Sequence, residues 1–417
     1  MTSPLDTRTR VAKGGVLVLG GGFAGGSVAR RLGKTGATII NPSNFMLYTP
    51  LLPEAAAGSI EPRHVAVPLR TMAPHSELML GRAVSVDPER RVVHVRTDAG
   101  GFDVAYAELV VALGSVTRMP DVPGLGEHAL GMKDISDAIR LRNHVLHQIE
   151  LADADPASAR RRLTFVVAGG GFAGVEAISE LHDLAEDALR LHPRLARIAP
   201  RWVLVDGAPR ILGQMPESLS RSAAKVLARR GIQVMSETRL RAVDAGGAEL
   251  SDGRRIETET VVWTAGVAAN PVIRELGFPV DEHGRIPVDE TLRVVGMPNV
   301  WSLGDGASVP NEATPGVKDP ATSQHALRQA RRLARNLRGA PQAYRYKMRG
   351  QMATLGRNRG VVQIGKLGVR GRLGYALARV YHLSQLPMAA RRRRVLTDWI
   401  NVSLFRRDVA ELSVAQR

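Results

Sequence analysis

The sequence has no cysteine among its 417 residues. A chain without thiols has no disulfide, no thiolate metal site and no redox-active cysteine pair. This excludes the disulfide reductases and the enzymes that pass electrons through a cysteine persulfide. The absence of thiols is compatible with a reducing cytoplasm.

Long apolar runs are also missing. No segment of about 18 consecutive apolar residues occurs, so no transmembrane helix is predicted. Met1 to Lys13 is polar and lacks the apolar core of a signal peptide. Aromatic residues are scarce at 4%, and few are interleaved with the arginines, so no nucleic-acid partner is expected.

Positive charge is concentrated near the C-terminus. The formal net charge is +17. The segment from Arg328 to Arg407 has 18 Arg and 2 Lys against one acid, Asp398, so it carries +19 and the rest of the chain −2. A basic segment of this kind suits an anionic lipid surface or a nucleic acid. A solvated face that favours solubility is the alternative interpretation.

One hexapeptide, GGGFAG, occurs twice, at 20–25 and at 169–174. Each copy follows a short apolar run typical of a buried strand and precedes a helical pattern. Strand, glycine turn and helix together form the fingerprint of a dinucleotide-binding fold. Because the fingerprint occurs twice in this context, two such folds are predicted. The predicted strands are 16–19 and 165–168, and the predicted helices are 27–32 and 175–191.

Each glycine of this fingerprint has its own role. The first permits the tight turn, the second lets a pyrophosphate approach the backbone, and the third lets the helix pack close to the strand. The helix N-terminus adds free N–H groups and a partial positive charge. The first predicted cradle comprises Gly20, Gly22, Phe23, Ala24 and Gly25, and the second comprises Gly169, Gly171, Phe172, Ala173 and Gly174.

An acid at the end of the next strand normally holds a ribose hydroxyl. In the second fold this position is Asp206, which would repel a 2′-phosphate and so favours NADH over NADPH, although Arg210 lies nearby in the sequence. A capping Asp in a turn is the alternative interpretation. In the first fold the position is Asn41, whose amide accepts a hydrogen bond without the assistance of charge, so a weaker contact is predicted.

Three further strand-like segments have a glycine as their last or last-but-one residue. Residues 300–305 end in Gly304-Asp305, and in flavoproteins with two dinucleotide-binding folds such an Asp accepts a hydrogen bond from the ribityl chain of the flavin. Residues 110–115 and 261–266 are predicted to be the strands by which the chain leaves each fold. Further on, the pattern predicts a helix at 323–337, strands within 352–364, and amphipathic stretches at 373–386 and 395–405.

The order and spacing of these motifs resemble the type II NADH dehydrogenases, the single-subunit NADH:quinone oxidoreductases that do not pump protons. The resemblance extends over residues 14–412. It rests on both GGGFAG loops and on five other segments, which are NFMLYTPLLPEAAAG at 44–58, LGDG at 303–306, PATSQ at 320–324, MATLGR at 352–357, and YHL at 381–383 with Trp399.

This resemblance implies that the first fold binds FAD and the second binds NADH. No metal ligand is predicted. To the first cradle, the FAD set adds Asn41, Pro50, Leu51, Val84, Ala112, Gly114, Asp305, Ser323 and Gln324. To the second cradle, the NADH set adds Glu176, Asp206 and Gly266.

Gln324 is one of two residues predicted to act in catalysis, and the resemblance implies that it lies near the flavin and faces the quinone. The family usually has a second Gln four residues later, whereas this chain has Arg328 there and Gln329 next to it. If Thr322 or Ser323 caps the following helix, the free N–H groups would point at the flavin and stabilise its reduced anion.

Glu176 is the other predicted catalytic residue. By resemblance it would sit near the nicotinamide, where it could position the nucleotide or shuttle a proton. The alternative is a favourable interaction of a carboxylate with the N-terminal turn of a helix.

The C-terminal region has both components of an interfacial anchor, apolar residues on amphipathic stretches and a cationic block at Arg391–Arg394. We expect residues 373–407 to bind an anionic membrane surface, with the protein peripheral to the cytoplasmic face of the cell membrane. The alternative is that the apolar faces pack on the body of the protein or form a homodimer interface. The apolar residues concerned are Leu377, Val380, Tyr381, Leu383, Trp399, Val402 and Phe405.

The sequence therefore predicts an α/β protein with two Rossmann-like domains. An FAD domain at 11–150 and 285–345 is interrupted by an NAD(P)H domain at 160–284, and a basic region of strands and amphipathic helices follows at 346–417. The predicted function is that of an FAD-dependent NADH dehydrogenase with a quinone as acceptor. Two alternatives remain, a reductase with a soluble protein or small-molecule acceptor, and a low-turnover nucleotide-binding protein associated with membranes or nucleic acid.

Overall fold

The computed structural model describes residues 9–411, which form two compact units. The first unit consists of the chain up to Leu47 together with Ala66–Val116 and Val267–Met348. The second consists of Tyr48–Val65, Thr117–Gly266 and the chain from Arg349 onward. The predicted domain boundaries follow the nucleotide-binding motifs rather than compactness, and they stay a prediction.

A five-stranded parallel sheet forms the core of the first unit. Its order across the sheet is Val300–Ser302, Glu108–Val111, Val16–Leu19, Thr38–Asn41 and Glu77–Leu80. The central strands are mainly apolar and buried over most of their length, as expected for a parallel sheet that is covered on both faces. The chain moves outward from 16–19 to 77–80 and then returns to the other side of 16–19. This reversal opens a crevice at the carboxyl ends of the strands, where ligands bind in such sheets.

The other elements of the first unit are short apart from two helices. A four-stranded sheet contains Arg10–Val11, Gly100–Ala105, Val92–Thr97 and Arg82–Asp87, and two small pairs join Phe45–Leu47 to Ala66–Pro68 and Ile286–Pro287 to Ala307–Ser308. The strand Val267–Ala269 and the α-helices Phe23–Leu32, Leu69–Met72, Val272–Glu275 and Ser323–Asn336 complete it, with 3-10 turns at Lys13–Gly15, Gly33–Thr35 and Gly304–Gly306.

The second unit repeats this design. Its parallel sheet has the order Ala129–Leu130, Thr260–Trp263, Thr164–Ala168, Arg201–Val205 and Ile232–Met235. The second glycine loop follows the central strand, as the first loop does in the first unit. Both sheets agree with the predicted α/β class and with the two predicted Rossmann-like folds.

Helices of the second unit cover this sheet. The helix Phe172–Leu189 buries an apolar face that contains Val175, Ile178, Leu181 and Leu184. The helix Ile135–Ala154 begins at a capping box, in which the side chains of Asp134 and Asp137 each accept a hydrogen bond from the backbone N–H of the other. The remaining α-helices before the C-terminal region are Leu52–Ala56, Leu125–His128, Ala159–Arg162 and Glu217–Arg229. Other elements are 3-10 turns at Thr49–Leu51, Pro62–Val65 and Pro193–Leu195, and an antiparallel sheet of Leu240–Asp244, Gly247–Leu250 and Arg255–Glu257. The strand Ser115–Thr117 links the two units in sequence.

The C-terminal region belongs to the second unit. It contains an antiparallel sheet of Gly350–Thr354, Gly360–Ile364 and Leu367–Arg370, followed by helices Gly371–Gln385 and Ala389–Phe405. The first helix ends just before Leu386-Pro387, because the residue before a proline is driven out of the helical conformation. No helix within residues 9–411 is long and apolar enough to cross a membrane.

Trp399 corrects one detail of the expected membrane anchor. Its side chain is only 5% exposed, and its indole N–H donates to a carboxylate of Glu54 at 2.6 Å. Val402 is half-buried, whereas Phe405 is 78% exposed. Of the apolar residues predicted to face the lipid on this helix, Trp399 is therefore part of the interior instead.

Candidate nucleotide-binding sites

The first glycine loop has the geometry of a phosphate cradle. Gly20 has a φ of 101°, and a Cβ placed on it would lie 2.3 Å from the carbonyl oxygen of Ala112. A Cβ on Gly25 would lie 2.0 Å from the carbonyl oxygen of Gly20. Both positions therefore require glycine, the first for its turn and the other for close packing of helix on strand.

Gly22 differs from these two positions because its surroundings are open. It has an ordinary φ of −74°, and a Cβ on it would meet no atom within 4 Å among the described residues. Gly22 is the N-cap of the helix Phe23–Leu32, whose first turn contains no acid. The N–H groups at this helix end thus face an open, electropositive space that fits the pyrophosphate of FAD. Phe23 is half-buried here and Ala24 is buried.

The second loop has the same geometry in the second unit. Gly169 has a φ of 116°, and a Cβ on Gly174 would lie 1.8 Å from the carbonyl oxygen of Gly169. Gly171, with a φ of −72°, again faces open space within the described part of the chain. Phe172 and Ala173 open the helix that follows, the first half-buried and the second exposed. A second pyrophosphate fits this cradle.

Asn41 and Asp206 occupy equivalent positions and make equivalent contacts. Asn41 Oδ1 accepts a hydrogen bond from the backbone N–H of Gly21 at 2.8 Å. Asp206 Oδ2 accepts one from the backbone N–H of Gly170, and its Oδ1 accepts one from Ala208 at 2.6 Å. Each side chain thus ties its glycine loop to the end of the neighbouring strand. Since an oxygen acceptor has two lone pairs, each retains the capacity to accept a ribose hydroxyl.

Asp305 and its neighbours line the carboxyl end of the first sheet. Asp305 Oδ2 accepts a hydrogen bond from the hydroxyl of Ser115 at 2.7 Å. Gly114, on the same loop as Ser115, has a φ of 68°, and a Cβ on it would meet nothing within 4 Å in residues 9–411. Gly266 of the second unit has a φ of 97° and an equally open position, with Arg118 no nearer than 3.9 Å. Both loops fit the close approach of a nucleotide.

The other predicted FAD residues are more dispersed. Val84 lies at an irregularity in the pairing of the strand Arg82–Asp87. Pro50 and the buried Leu51 lie in a 3-10 turn of the second unit, whereas the rest of the FAD set belongs to the first. The structure therefore gathers most of the predicted FAD residues, but not these two, into one compact unit.

The helix Ser323–Asn336 begins as predicted. Thr322 is its N-cap, and the Thr322 hydroxyl accepts a hydrogen bond from the backbone N–H of His325 at 3.3 Å. Ser323 and Gln324 form its first turn, and both are half-buried. Gln324 Oε1 accepts a hydrogen bond from the hydroxyl of Tyr346 at 3.2 Å. Sequence reasoning missed Tyr346, which lies outside every motif.

Glu176 lies in the second turn of its helix, beyond the free N–H groups of the first. This position weakens the interpretation that it only complements the helix dipole. Its carboxyl group accepts hydrogen bonds from the backbone N–H of Thr354 at 3.0 Å and from the Thr354 hydroxyl at 3.4 Å. Burial of the carboxyl group, with Glu54 and Glu180 adding negative charge nearby, raises the pKa of Glu176 to about 8. Glu176 is thus largely protonated at neutral pH.

Two buried carboxylates that sequence reasoning missed accompany Glu176. Glu54 is 4% exposed and accepts hydrogen bonds from Trp399 and from Arg379, the latter at 3.2 Å. Burial also raises the pKa of Glu54, although Arg379 opposes the shift. Glu180 is 1% exposed and accepts a hydrogen bond from the hydroxyl of Ser59 at 3.1 Å. A single acid in the apolar run LLPEAAA was the only sequence signal for Glu54.

Arg407 neutralises the acidic face of the helix Phe172–Leu189. This side chain is almost fully buried, and its guanidinium group contacts Glu180 at 2.9 Å, Asp187 at 3.3 Å and Asp183 at 3.5 Å. Asp183 also pairs with Arg230. His182, Asp183 and Glu186 bring possible metal-ligand atoms within 4.8 Å of one another. The guanidinium of Arg230 contacts both His182 and Asp183, so two of these three side chains already have a cationic partner.

Comparison with known proteins agrees with this geometry. A family model described as pyridine nucleotide-disulphide oxidoreductase matches residues 14–330. A probable NADH dehydrogenase from Dictyostelium discoideum is 30% identical over 95% of this chain and 90% of its own length. A type II NADH:quinone oxidoreductase from Mycobacterium tuberculosis is 31% identical over 92% of this chain and 87% of its own. The solved structure of NDH2 from Plasmodium falciparum in complex with NADH has a TM-score of 0.88 at 17% identity, over 97% of this chain and 100% of that one, which shows the shared fold.

Proposed function

The chain belongs to the type II NADH dehydrogenases, within the pyridine nucleotide-disulphide oxidoreductase family, and from this premise we propose that it oxidises NADH with bound FAD and reduces a quinone. The observation that carries the proposal is the pair of open glycine cradles, each at the carboxyl end of a parallel sheet. The absence of cysteine removes the disulfide chemistry after which the wider family is named.

The first unit holds FAD in this proposal. When bound, FAD accepts a hydride and passes two electrons onward. The backbone N–H groups that follow Gly22 at the start of the helix bind the pyrophosphate. Asn41 accepts a hydrogen bond from a ribose hydroxyl, and Asp305 accepts one from a ribityl hydroxyl. Helix 323–336 directs its capped N-terminus at the flavin and stabilises negative charge on the reduced ring.

The second unit holds NADH. The N–H groups behind Gly171 bind the pyrophosphate, and Asp206 accepts a ribose hydroxyl. The negative charge of Asp206 disfavours the 2′-phosphate of NADPH. Glu176, neutral at pH 7, adds no negative charge beside the nicotinamide and can release a proton. We propose that the FAD domain comprises residues 11–150 and 285–345 and that the NAD(P)H domain comprises residues 160–284. These limits follow the nucleotide-binding motifs and differ from those of the two compact units.

Attachment to a membrane is the second part of the proposal. Six large apolar side chains of the last two helices are 45–78% exposed, and Arg391–Arg394 lie on the second of these helices. Exposed apolar and cationic groups on one pair of helices support a peripheral, interfacial attachment. We propose that residues 373–407 bind the cytoplasmic face of the cell membrane. The acceptor in this proposal is a membrane quinone, which is reduced near Gln324. The six residues are Leu373, Val380, Leu396, Ile400, Leu404 and Phe405.

Anaerobic titration of the purified holoprotein tests the proposal. NADH should bleach the flavin absorbance with one equivalent per flavin, NADPH should do so less readily, and a short-chain quinone should restore the absorbance. A preparation without flavin, or a flavin that NADH does not reduce, would falsify the assignment of the cradles. Reoxidation by other acceptors but by no quinone would instead support a soluble acceptor.

A further inference from the structure

The first two turns of helix 323–336 pack against the turn that contains Asp305. The backbone N–H of Gly304 donates to Gln329 Oε1 at 2.8 Å, and a Cβ on Gly304 would lie 3.9 Å from Ala326. Gln324 therefore lies in the turn of this helix that is packed on the proposed flavin-binding loop. A residue one helical turn further on, on the same face, is close enough to touch a ligand that Gln324 touches.

Gln329 is not available for such a ligand. Its side chain is 2% exposed, and both ends of its amide are in use, since Oε1 accepts from Gly304 and Nε2 donates to Asp319 at 2.9 Å. The glutamine next to the expected position is thus an interior residue that fixes the helix to the Gly304–Gly306 turn and to Asp319.

Arg328, unlike the buried Gln329, lies on the same face of the helix as Gln324. It is half-buried, four residues after Gln324, and its guanidinium carbon lies 5.3 Å from the centroid of the Tyr346 ring. The Tyr346 hydroxyl donates to Gln324. Tyr346 thus contacts both residues, and the three side chains form one constellation in the first unit, here called the acceptor triad.

The charge of Arg328 is not neutralised within this constellation. Within residues 9–411 it forms no ion pair, and the next positions along the same face are Arg331 and Arg335. Burial lowers the pKa of Arg31, and the crowding of Arg331, Arg30 and Arg328 around it lowers that pKa further. The acceptor triad thus lies at one end of a positively charged surface that attracts anions.

We propose that Arg328 makes the acceptor site selective for quinones that carry an acidic substituent, ionised at neutral pH. The inference rests on the proposed function, because it assumes that the quinone binds beside Gln324. A guanidinium group presents paired donors that match a carboxylate or sulfonate. Gln324 and Tyr346 bind the quinone ring in this arrangement, and Arg328 binds the substituent.

The test compares the holoenzyme with its Arg328→Gln variant, which restores an uncharged amide. Steady-state reduction of a neutral 1,4-naphthoquinone and of the same ring bearing a sulfonate is measured with saturating NADH. The ratio of kcat/KM for the sulfonated over the neutral quinone should fall about five- to tenfold in the variant. In wild type this ratio should also fall as ionic strength rises from about 0.02 to 0.5 M, since salt screens charges, and the salt dependence should be smaller in the variant.

Two further variants separate charge recognition from a structural role. Arg335→Gln removes the same charge from the same helix, three turns from Gln324, and should change the ratio much less. Tyr346→Phe removes the hydroxyl that Gln324 accepts from but keeps the ring beneath Arg328, so it should retain the charge selectivity.

Three results would overturn the inference: an unchanged ratio in Arg328→Gln, an equal loss for both quinones, or an equal effect of Arg335→Gln. The failure of wild type to reduce either quinone would instead contradict the proposed function. The two failures are therefore distinguishable.

Discussion

Gly22 and Gly171 allow the two nucleotide sites to be tested separately. Gly22→Ala should fold normally, because φ is ordinary and the new Cβ meets open space, but the methyl group occupies the path of the pyrophosphate. We expect flavin content to fall well below one per chain. Gly171→Ala should retain its flavin and instead raise the KM for NADH, roughly tenfold or more, since a misplaced pyrophosphate costs at least about 1.4 kcal/mol.

Absorbance at the flavin maximum and NADH kinetics check both outcomes. Gly25→Ala is the contrast, because its Cβ would clash with Gly20 and the melting temperature itself should fall. Loss of flavin in Gly171→Ala, with flavin retained in Gly22→Ala, would reverse the assignment of the two cradles.

Glu176 should give the protein a pH-dependent stability. Its folded pKa of about 8 is above the ordinary value, so the folded state binds more protons than the unfolded state between about pH 4.5 and 8. The contribution of Glu176 to stability is complete below that window and is lost as pH rises through it. Glu176→Gln removes the titration, so the melting temperature of the variant relative to wild type should rise from pH 5 to pH 8.

Glu186→Gln, an exposed carboxylate on the same helix, is the control for loss of charge. Thermal unfolding of the holoprotein at several pH values provides the measurement. A constant difference between Glu176→Gln and wild type over this range would contradict the raised pKa.

Residues with a fixed backbone role were the most predictable. The glycines of both cradles lie in the predicted strand-to-helix turns, and Asn41 and Asp206 lie at the ends of the neighbouring strands, because these positions follow from sterics and strand order. Their contacts with the nucleotides stay a prediction. Glu54, Glu180 and Arg407 could not be predicted as a cluster, because they come together only when segments far apart in sequence pack. Trp399 was predicted as a lipid contact because amphipathic spacing does not distinguish a buried from an exposed indole.

At the scale of elements, strands were easier to predict than helix ends. The predicted strands 16–19 and 165–168 agree with the observed strands Val16–Leu19 and Thr164–Ala168. The helix at Phe23 was predicted to begin only at Ser27, because its first turn is rich in glycine and has little helical propensity. Tertiary packing and the free N–H groups of the cradle determine that helix start, and neither is visible as periodicity.

The segment after the last helix is held to the second unit by Arg407. Arg407→Met would leave Glu180, Asp183 and Asp187 without this cation in a buried site, and loss of one partner of a buried ion pair costs about 3–5 kcal/mol. We expect the urea midpoint of unfolding to fall accordingly. The neighbouring Arg406 is exposed, so Arg406→Met should change the midpoint little. Equal effects of both substitutions would contradict a specific role for the buried cation.

The distribution of charge over the whole molecule leads to a prediction about membranes. The +17 charge is concentrated in the last fifth of the chain, so binding to vesicles with anionic lipid should weaken between about 0.05 and 0.5 M salt.

The exposed apolar side chains of the last helix should also contribute to membrane binding. Leu404 and Phe405 are 69% and 78% exposed, and the double variant Leu404→Ser, Phe405→Ser should lower vesicle affinity roughly tenfold or more, because less apolar surface is then buried in the membrane. Val11→Ser, at a position 75% exposed in the first unit, is the control. Co-sedimentation with vesicles measures the affinity of each variant. Equal binding of the double variant and wild type would contradict a membrane contact at Leu404 and Phe405.

The two loops are letter-for-letter identical, and each is tied to the end of the neighbouring strand, at Asn41 in one unit and Asp206 in the other. A hexapeptide that serves both cradles cannot itself distinguish a flavin nucleotide from a nicotinamide nucleotide. Discrimination must come from the walls around it, beginning with an uncharged amide on one side and a carboxylate on the other. Engineering of cofactor preference in this chain should therefore leave the glycines alone and redesign the residue that closes each loop.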